Sequence, residues 1–320
     1  MDVGPIGNFP NNLLEFEDRF STETACREYL IALRWPAGYR CAQCGNERRA
    51  WRTGRPGFRC GRCQREVSIL AGTMLEGTRK PLRLWFRAMW WVATQKTGLS
   101  AKTFMREMGL PSYETAWTWL HKLRRAMVRA GRTPLSGRVE VDETYVGGEE
   151  PGVPGRGAED KALVVIAAEE DGKGIGRIRL AHIPDASAAS LTPFVVATVE
   201  PGSVVHTDGW PGYAALPAKG FTHEVSIIAP DPKRASDLLP RVHRVAALLK
   251  RWLLGTHQGA VSNKHLQRYL DEYTFRFNRR RSRHPGKIFF RLAQQVVATE
   301  RTTYRALVDS PDGADPLKPQ

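Results

Sequence analysis

Acidic side chains are in short supply in this chain: 33 Asp and Glu face 48 Lys and Arg over 320 residues, a formal net charge of +15. The excess cations cluster, which argues for a polyanion partner rather than for solubility alone. Long apolar runs are missing as well. None reaches the ~18 residues of a membrane span, which excludes a transmembrane helix. Residues 1–10 lack the basic and apolar regions of a secretory signal, so a cytoplasmic, nucleoid-associated location is expected. No Gly-x-x-x-x-Gly-Lys loop occurs, so no nucleotide cofactor is expected. Cysteine is rare, at five residues. Thiols stay reduced in a cytosol, so these read better as metal ligands than as disulfides. The hydrophobic share is 42%, enough for two or three domains with one sizeable core.

Four of the cysteines form Cys41-Ala-Gln-Cys44 and Cys60-Gly-Arg-Cys63, with fifteen residues between the pairs. Two such knuckles at this spacing close a tetrahedral four-thiolate zinc site with no open position, so the Zn²⁺ is structural. It can hold a β-ribbon whose own core is too small to fold alone. Arg48, Arg49, Arg52, Arg55, Arg59, Arg62 and Arg65 stud this module, and that density favours phosphate contact. Cys26 stands apart, in a helix, and is expected only as buried filler.

The chain reads as a multidomain α+β protein. A helical segment over 1–38 precedes the zinc ribbon at 39–72. Residues 73–130 carry a helix opened by Pro81, with Leu84, Trp85, Ala88, Met89, Trp91 and Val92 on its core face. A short helix at 99–108, the turn Gly109-Leu-Pro111 and a longer helix at 112–125 make a helix-turn-helix pattern. Ser112 is its N-cap, Tyr113 leads the recognition helix, and Arg124 and Arg125 continue the basic character. Residues 131–300 then give three strands, a helix, a strand ending at Asp208, a turn region near Trp210, a strand at 221–228 and an amphipathic helix at 238–254. That order is RNase H-like. The tail at 301–320, Pro- and Asp-rich toward its end, is expected to be disordered.

Arg138-Val-Glu-Val-Asp-Glu-Thr-Tyr-Val-Gly-Gly148 puts Glu140 and Asp142 on one side of a strand and Glu143 on the other. A carboxylate inside a β-branched run is costly to bury unless a cation faces it. Ser203-Val-Val-His-Thr-Asp208-Gly is a second short apolar strand ending in an aspartate and a glycine turn. Two such strands can bring Asp142 and Asp208 to one Mg²⁺ or Mn²⁺ site suited to phosphoryl transfer. A third ligand has to come from a later helix. The 238–254 helix has no Asp or Glu, and His243 is its one metal-capable residue well inside. Packing or solvation is the ordinary alternative for that histidine, and Asp271 and Glu272 are rival ligands. Lys250 follows His243 by seven residues on the same face, placed with Arg251 to touch a phosphate. Arg279, Arg280 and Arg281, within Asn278–His284, read as a run along a phosphate backbone.

Taken together these stretches resemble the bacterial insertion-sequence transposases of the 1595 family. The carriers are the paired Cys-x-x-Cys knuckles, Val141–Gly148, His206-Thr-Asp208-Gly209, and the stretches at 249–259 and 269–279. The resemblance implies Asp142 and Asp208 as the first two acidic residues of a DDE-type centre, with His243 at the third position. That third residue varies among Glu, Asn and His in the family. An imidazole brings one less negative charge than glutamate and suits Mn²⁺ better than Mg²⁺. The implied activity is that of a DNA transposase. The ribbon and helix-turn-helix would bind terminal inverted repeats, and the RNase H-like domain would cleave strands and transfer them to target DNA. Joining two ends implies a homo-oligomer at work. The alternative is a catalytically decayed, transposase-derived DNA-binding regulator, which binds the ends without nicking them.

Overall fold

The computed structural model describes residues 7–47, 50–52, 57–147, 161–226, 238–259 and 261–309. The chain divides into two compact units, 1–129 with 281–308 and 130–280 with 309–320. In the first, α1 (Leu13–Arg19) and α2 (Glu23–Arg34) start at Asn12 and Thr22, whose side-chain oxygens accept the N–H of Glu15 and Ala25. Then β1 (Ala50–Arg52), β2 (Gly57–Cys60) and β3 (Glu66–Ser68) form an antiparallel ribbon in that order. Three helices follow: α3 (Leu82–Thr94), α4 (Ala101–Glu107) and α5 (Tyr113–Ala126). Ser112 caps α5 through the Thr115 N–H at 3.1 Å, and Gly109 takes a φ of +59° in the turn before it. Short helix, glycine turn and longer helix are thus where the sequence put them. Cys26 is fully buried, and burial pushes its thiol up to about 12. It is inert filler.

The second unit is built on one sheet. Its strands are β4 (Arg138–Val146), β5 (Ala162–Asp171), β6 (Gly174–Ile183), β7 (Val204–Thr207) and β8 (Thr222–Val225). Their order is β6-β5-β4-β7-β8, the first three antiparallel and the last two parallel to β4. Three helices flank them: α6 (Ala188–Thr198), α7 (Pro240–His257) and α8 (Leu266–Phe277). Ala162, Val164, Ile166 and Ala168 of β5 pack toward α7 and α8, while Leu163, Val165 and Ala167 pack toward α6. Both faces of the strand are covered, which is why its sequence is apolar throughout rather than alternating. This is the mixed α/β architecture expected of the RNase H-like reading. The expected strand at 221–228 is shorter, and its residues 227 and 228 lie outside the described residues. So do Arg48, Arg49, Arg55, Gly148, the expected loop at 149–160, Asp237 and the tail from 310.

The chain then returns to the first unit as α9 (Pro285–Ala298) and α10 (Tyr304–Asp309); residues 304–309, expected to lie in a disordered tail, are helical instead, because Leu307 is buried. The sequence carried the catalytic domain to residue 300, whereas the sheet unit reaches Arg280. The reason is packing. Phe289 of α9 is fully buried, with its ring 5.2 Å from Phe16, 5.5 Å from Phe20 and 5.8 Å from Phe86. Helical periodicity reveals an apolar face but not the surface it covers. We expect Phe289→Ala to lower the stability of the helical unit by about 3–5 kcal/mol. Urea titration followed by tryptophan fluorescence tests this, and a loss under about 1 kcal/mol would remove α9 from that core.

Candidate active site and zinc centre

The four cysteine sulfurs at 41, 44, 60 and 63 all lie within 4.8 Å of one another. Cys41 and Cys63 are 3.6 Å apart, as are Cys44 and Cys60. Zn–S bonds of about 2.3 Å in a tetrahedron require sulfurs roughly 3.8 Å apart, so the set fits zinc. Backbone N–H groups of the knuckles face the sulfurs. The Cys60 thiol falls to about 6, chiefly through the Cys63 N–H, with help from Arg62 and the Asn46 side chain. Four sulfurs, with no other metal-capable side chain in the set among the described residues, suit a structural ion.

The carboxylates follow from the sheet register. Asp142 pairs opposite Ile166 in β5 and Glu140 opposite Ala168, so both face the α7 side. On the other flank, Glu140 lies beside His206 of the parallel β7. Two residues further along each strand bring Asp142 and Asp208 to the same end of the sheet. The Asp208 carboxylate accepts the Trp210 N–H at 3.0 Å. Gly209 turns the chain there at a φ of +83°, where a Cβ would meet the Val225 side chain at 2.6 Å, so any other residue would be strained. His243 approaches Asp142 from α7, with its Nε2 3.8 Å from the Asp142 carboxylate. That is too long for a hydrogen bond. It is a span that two ligand atoms about 2.1 Å from one shared ion can have. Among the described residues only the cysteines form a set of three or more metal-capable groups mutually within 4.8 Å, so Asp208 stands wider than the Asp142–His243 pair. Asp271 and Glu272 belong elsewhere. Both are buried on α8, which packs on β6, with Glu272 paired to Arg276 at 2.6 Å and Asp271 accepting from Gln267 at 3.0 Å.

Comparison with known proteins matches both halves of this arrangement. Residues 134–278 match the ISXO2-like transposase domain, and residues 21–66 match the transposase zinc-ribbon domain. A protein in transposable element ISH50 of Halobacterium salinarum is 28% identical over 295 residues, covering 84% of this chain and 94% of that one. Both matches, with the insertion-sequence relative beside them, are consistent with the 1595 family of insertion-sequence transposases. The transposase-domain match stops at 278, two residues short of where the sheet unit ends at Arg280.

The chain also holds residues whose importance the sequence left undecided. Glu140 is 2% exposed, yet its carboxylate accepts the N–H groups of Arg241 and Val242 at 2.7 and 3.0 Å. The Arg241 guanidinium meets it at 2.8 Å and also holds Glu170 and the carbonyls of Gly172 and Gly174. A buried carboxylate on the first turn of α7 satisfies donors the helix cannot, and it complements the helix dipole. The next residue of α7 is His243. Its parity with Asp142 was the available signal for Glu140; what it faced was not. Glu143, on the opposite side, accepts the buried Tyr213 hydroxyl at 2.8 Å. Burial, then Glu143, Asp142 and Asp208, keep that phenol well above its ordinary range. His206 bridges Arg138 at 3.1 Å and Ser226 at 2.7 Å, and burial with Arg138 beside it lowers its imidazole.

Of the DNA-contact candidates, Tyr113 is exposed at the head of α5 and Arg125 half-buried. Arg124 is only 2% exposed, which corrects its reading as a DNA contact, since α5 turns it inward. Lys250 and Arg251 are on the solvent side of α7; partial burial and the nearby Lys161 lower the Lys250 ammonium. Arg280 donates to the carbonyls of Ile175, Gly176 and Phe277, and so fastens the end of α8 to the β5–β6 hairpin. Arg279 lies over the Phe275 ring at 3.9 Å and donates to its carbonyl at 3.1 Å, while Arg281 is exposed. His257 packs between the rings of Trp252 and Tyr269.

Two outcomes are expected of these contacts. Glu140→Ala should destabilise the sheet unit by about 3–5 kcal/mol, by leaving the Arg241 and Val242 N–H groups without their acceptor and the Arg241 guanidinium with Glu170 as its remaining carboxylate; chemical denaturation measures it, and a change below about 1 kcal/mol would make the cap incidental. Purified protein should release about one zinc per chain to a colorimetric chelator once the thiols are blocked; preparations lacking zinc that keep a folded ribbon would contradict the four-sulfur site.

Proposed function

We propose that this chain binds the terminal inverted repeats of its element and catalyses DNA strand cleavage and strand transfer. The observation that carries this reading is the convergence of Asp142 and Asp208 at one end of neighbouring parallel strands, with His243 3.8 Å from Asp142. Asp142, Asp208 and His243 are the residues that would hold a divalent cation, Mg²⁺ or Mn²⁺. Such an ion supplies activation of the attacking oxygen and neutralisation of phosphate charge.

The chain's own residues do the positioning. β4 and β7 fix the two carboxylates in register, and the Glu140 cap fixes the start of α7, so His243 approaches Asp142 from one direction. Lys250, two turns beyond His243, supplies positive charge where a phosphodiester would lie. A water attacking at the element end would leave a 3′-hydroxyl, and that hydroxyl would attack target DNA in line. One phosphodiester replaces another, so the exchange needs no nucleotide. The zinc ribbon and α5 would supply end recognition, and a working assembly would hold two ends through at least two copies.

In this reading Asp142→Ala and Asp208→Ala keep end binding and lose nicking of a duplex carrying the element's ends. Nicking that persists in either variant refutes the centre. His243→Glu retains nicking and shifts the preferred ion toward Mg²⁺, because it restores the missing negative charge; wild-type rates in His243→Ala would take the histidine out of the site. A wild-type protein that binds ends and never nicks them would instead be the decayed regulator.

A further inference from the structure

The helical unit contains a cleft that the reading above leaves unused. Its volume is about 320 Å³, and it lies among residues 74–85, the second half of α5 and residues 301–304, all within one compact unit. Four cations line it: Arg79, Lys80, Lys122 and Arg301. A single carboxylate shares the lining, Glu76, 3.7 Å from the Arg301 guanidinium. Among the described residues Arg79, Lys80 and Lys122 have no carboxylate partner. Burial, and then Arg301 nearby, hold the Lys122 ammonium below its ordinary range. Like charges gathered in a partly desolvated recess repel one another, and an anion between them relieves the repulsion.

The rest of the lining selects the kind of anion. The Trp85 and Trp119 rings stack 3.5 Å apart, and the Trp85 indole N–H donates to Thr78 at 2.8 Å, so this wall is rigid. Thr302 is 7% exposed, and its hydroxyl has no hydrogen-bond partner among the described residues. Buried polar groups are rarely left so. Guanidinium, ammonium and hydroxyl donors around one recess match a group with several acceptor oxygens and at least one negative charge.

We propose that this cleft seats a phosphate of the DNA backbone, with Lys122, Arg301 and Lys80 as its charged contacts and Thr302 as a hydrogen-bond donor. The proposal rests on the DNA-binding reading and adds a contact that reading did not contain. Phosphate contacts fix register, while base contacts specify sequence. Lys122 stands nine residues beyond Tyr113, about 14 Å along the helix. Anchoring the backbone at that end of α5 leaves the exposed Tyr113 end for base edges.

The test is fluorescence anisotropy of the full-length protein with a random-sequence duplex over a range of salt. Lys122→Gln and Arg301→Gln should each weaken binding several-fold and reduce the slope of log K against log salt by about 1. Thr302→Val should weaken binding without lowering the melting temperature, because the hydroxyl it removes has no partner in the folded chain. A merely structural threonine would leave binding untouched. Lys173→Gln removes the same charge from an exposed turn of the other unit and should change neither affinity nor slope. Wild-type binding by all three cleft variants, or an equal loss in Lys173→Gln, overturns the cleft and leaves the DNA-binding reading standing. A wild-type protein that binds no duplex overturns both.

Discussion

The sheet unit depends on one buried carboxylate. Glu140 accepts two N–H groups from the first turn of α7 and a guanidinium from the same turn, all within 3.0 Å. Alone in an apolar interior such a group would be strongly disfavoured. Here every oxygen is met by a donor and the charge is met by Arg241, so burial becomes a geometric constraint rather than a penalty. Because Glu140 shares a face with Asp142, and Arg241 is two residues from His243, the same contact sets strand against helix and imidazole against carboxylate. Packing of Val242, Val245 and Leu249 against β5 and β6 adds the apolar area but would tolerate sliding. The cap does not tolerate it.

Around that contact the sheet carries a belt of charge. Arg138 reaches Glu224 and Glu170, Arg241 joins Glu170 to Glu140, and His206 links Arg138 to Ser226. The belt runs across β5, β4, β7 and β8 just below the aspartates. Partners fixed on four strands and one helix leave few of these side chains free to swing, which is what a site that must hold two separated carboxylates requires. On the opposite face Tyr213 does the same for Glu143, so the two glutamates flanking Asp142 are both engaged structurally. Asp142 accepts the Glu143 N–H at 2.8 Å, and its carboxylate lies 3.8 Å from the His243 imidazole.

Much of this was readable from residue order. The cysteine spacing gave the zinc centre because tetrahedral coordination by paired knuckles permits few spacings. The apolar run at 162–168 gave a strand, and Ser112 with Gly109 gave the turn before α5, because runs, caps and turns are local signals. Charge was read less well. Arg124 and Arg280 look in sequence like any other cation of a DNA-binding surface, yet one is buried and the other is bound to carbonyls of a hairpin a hundred residues away. The extent of the catalytic unit was also misjudged, since α9 has an apolar face that fits equally well on paper against either unit.

Sequence by itself determined the ligand types, their chain order and the secondary structure that carries them, because each of these is written in spacing, capping and periodicity over a few residues. The tertiary structure alone decided which acid caps a helix and which faces an imidazole, where α9 packs, and that His243 rather than Asp271 or Glu272 lies beside Asp142. Those outcomes depend on pairings between residues about a hundred positions apart, where burial and partner, not residue type, fix what a charge does.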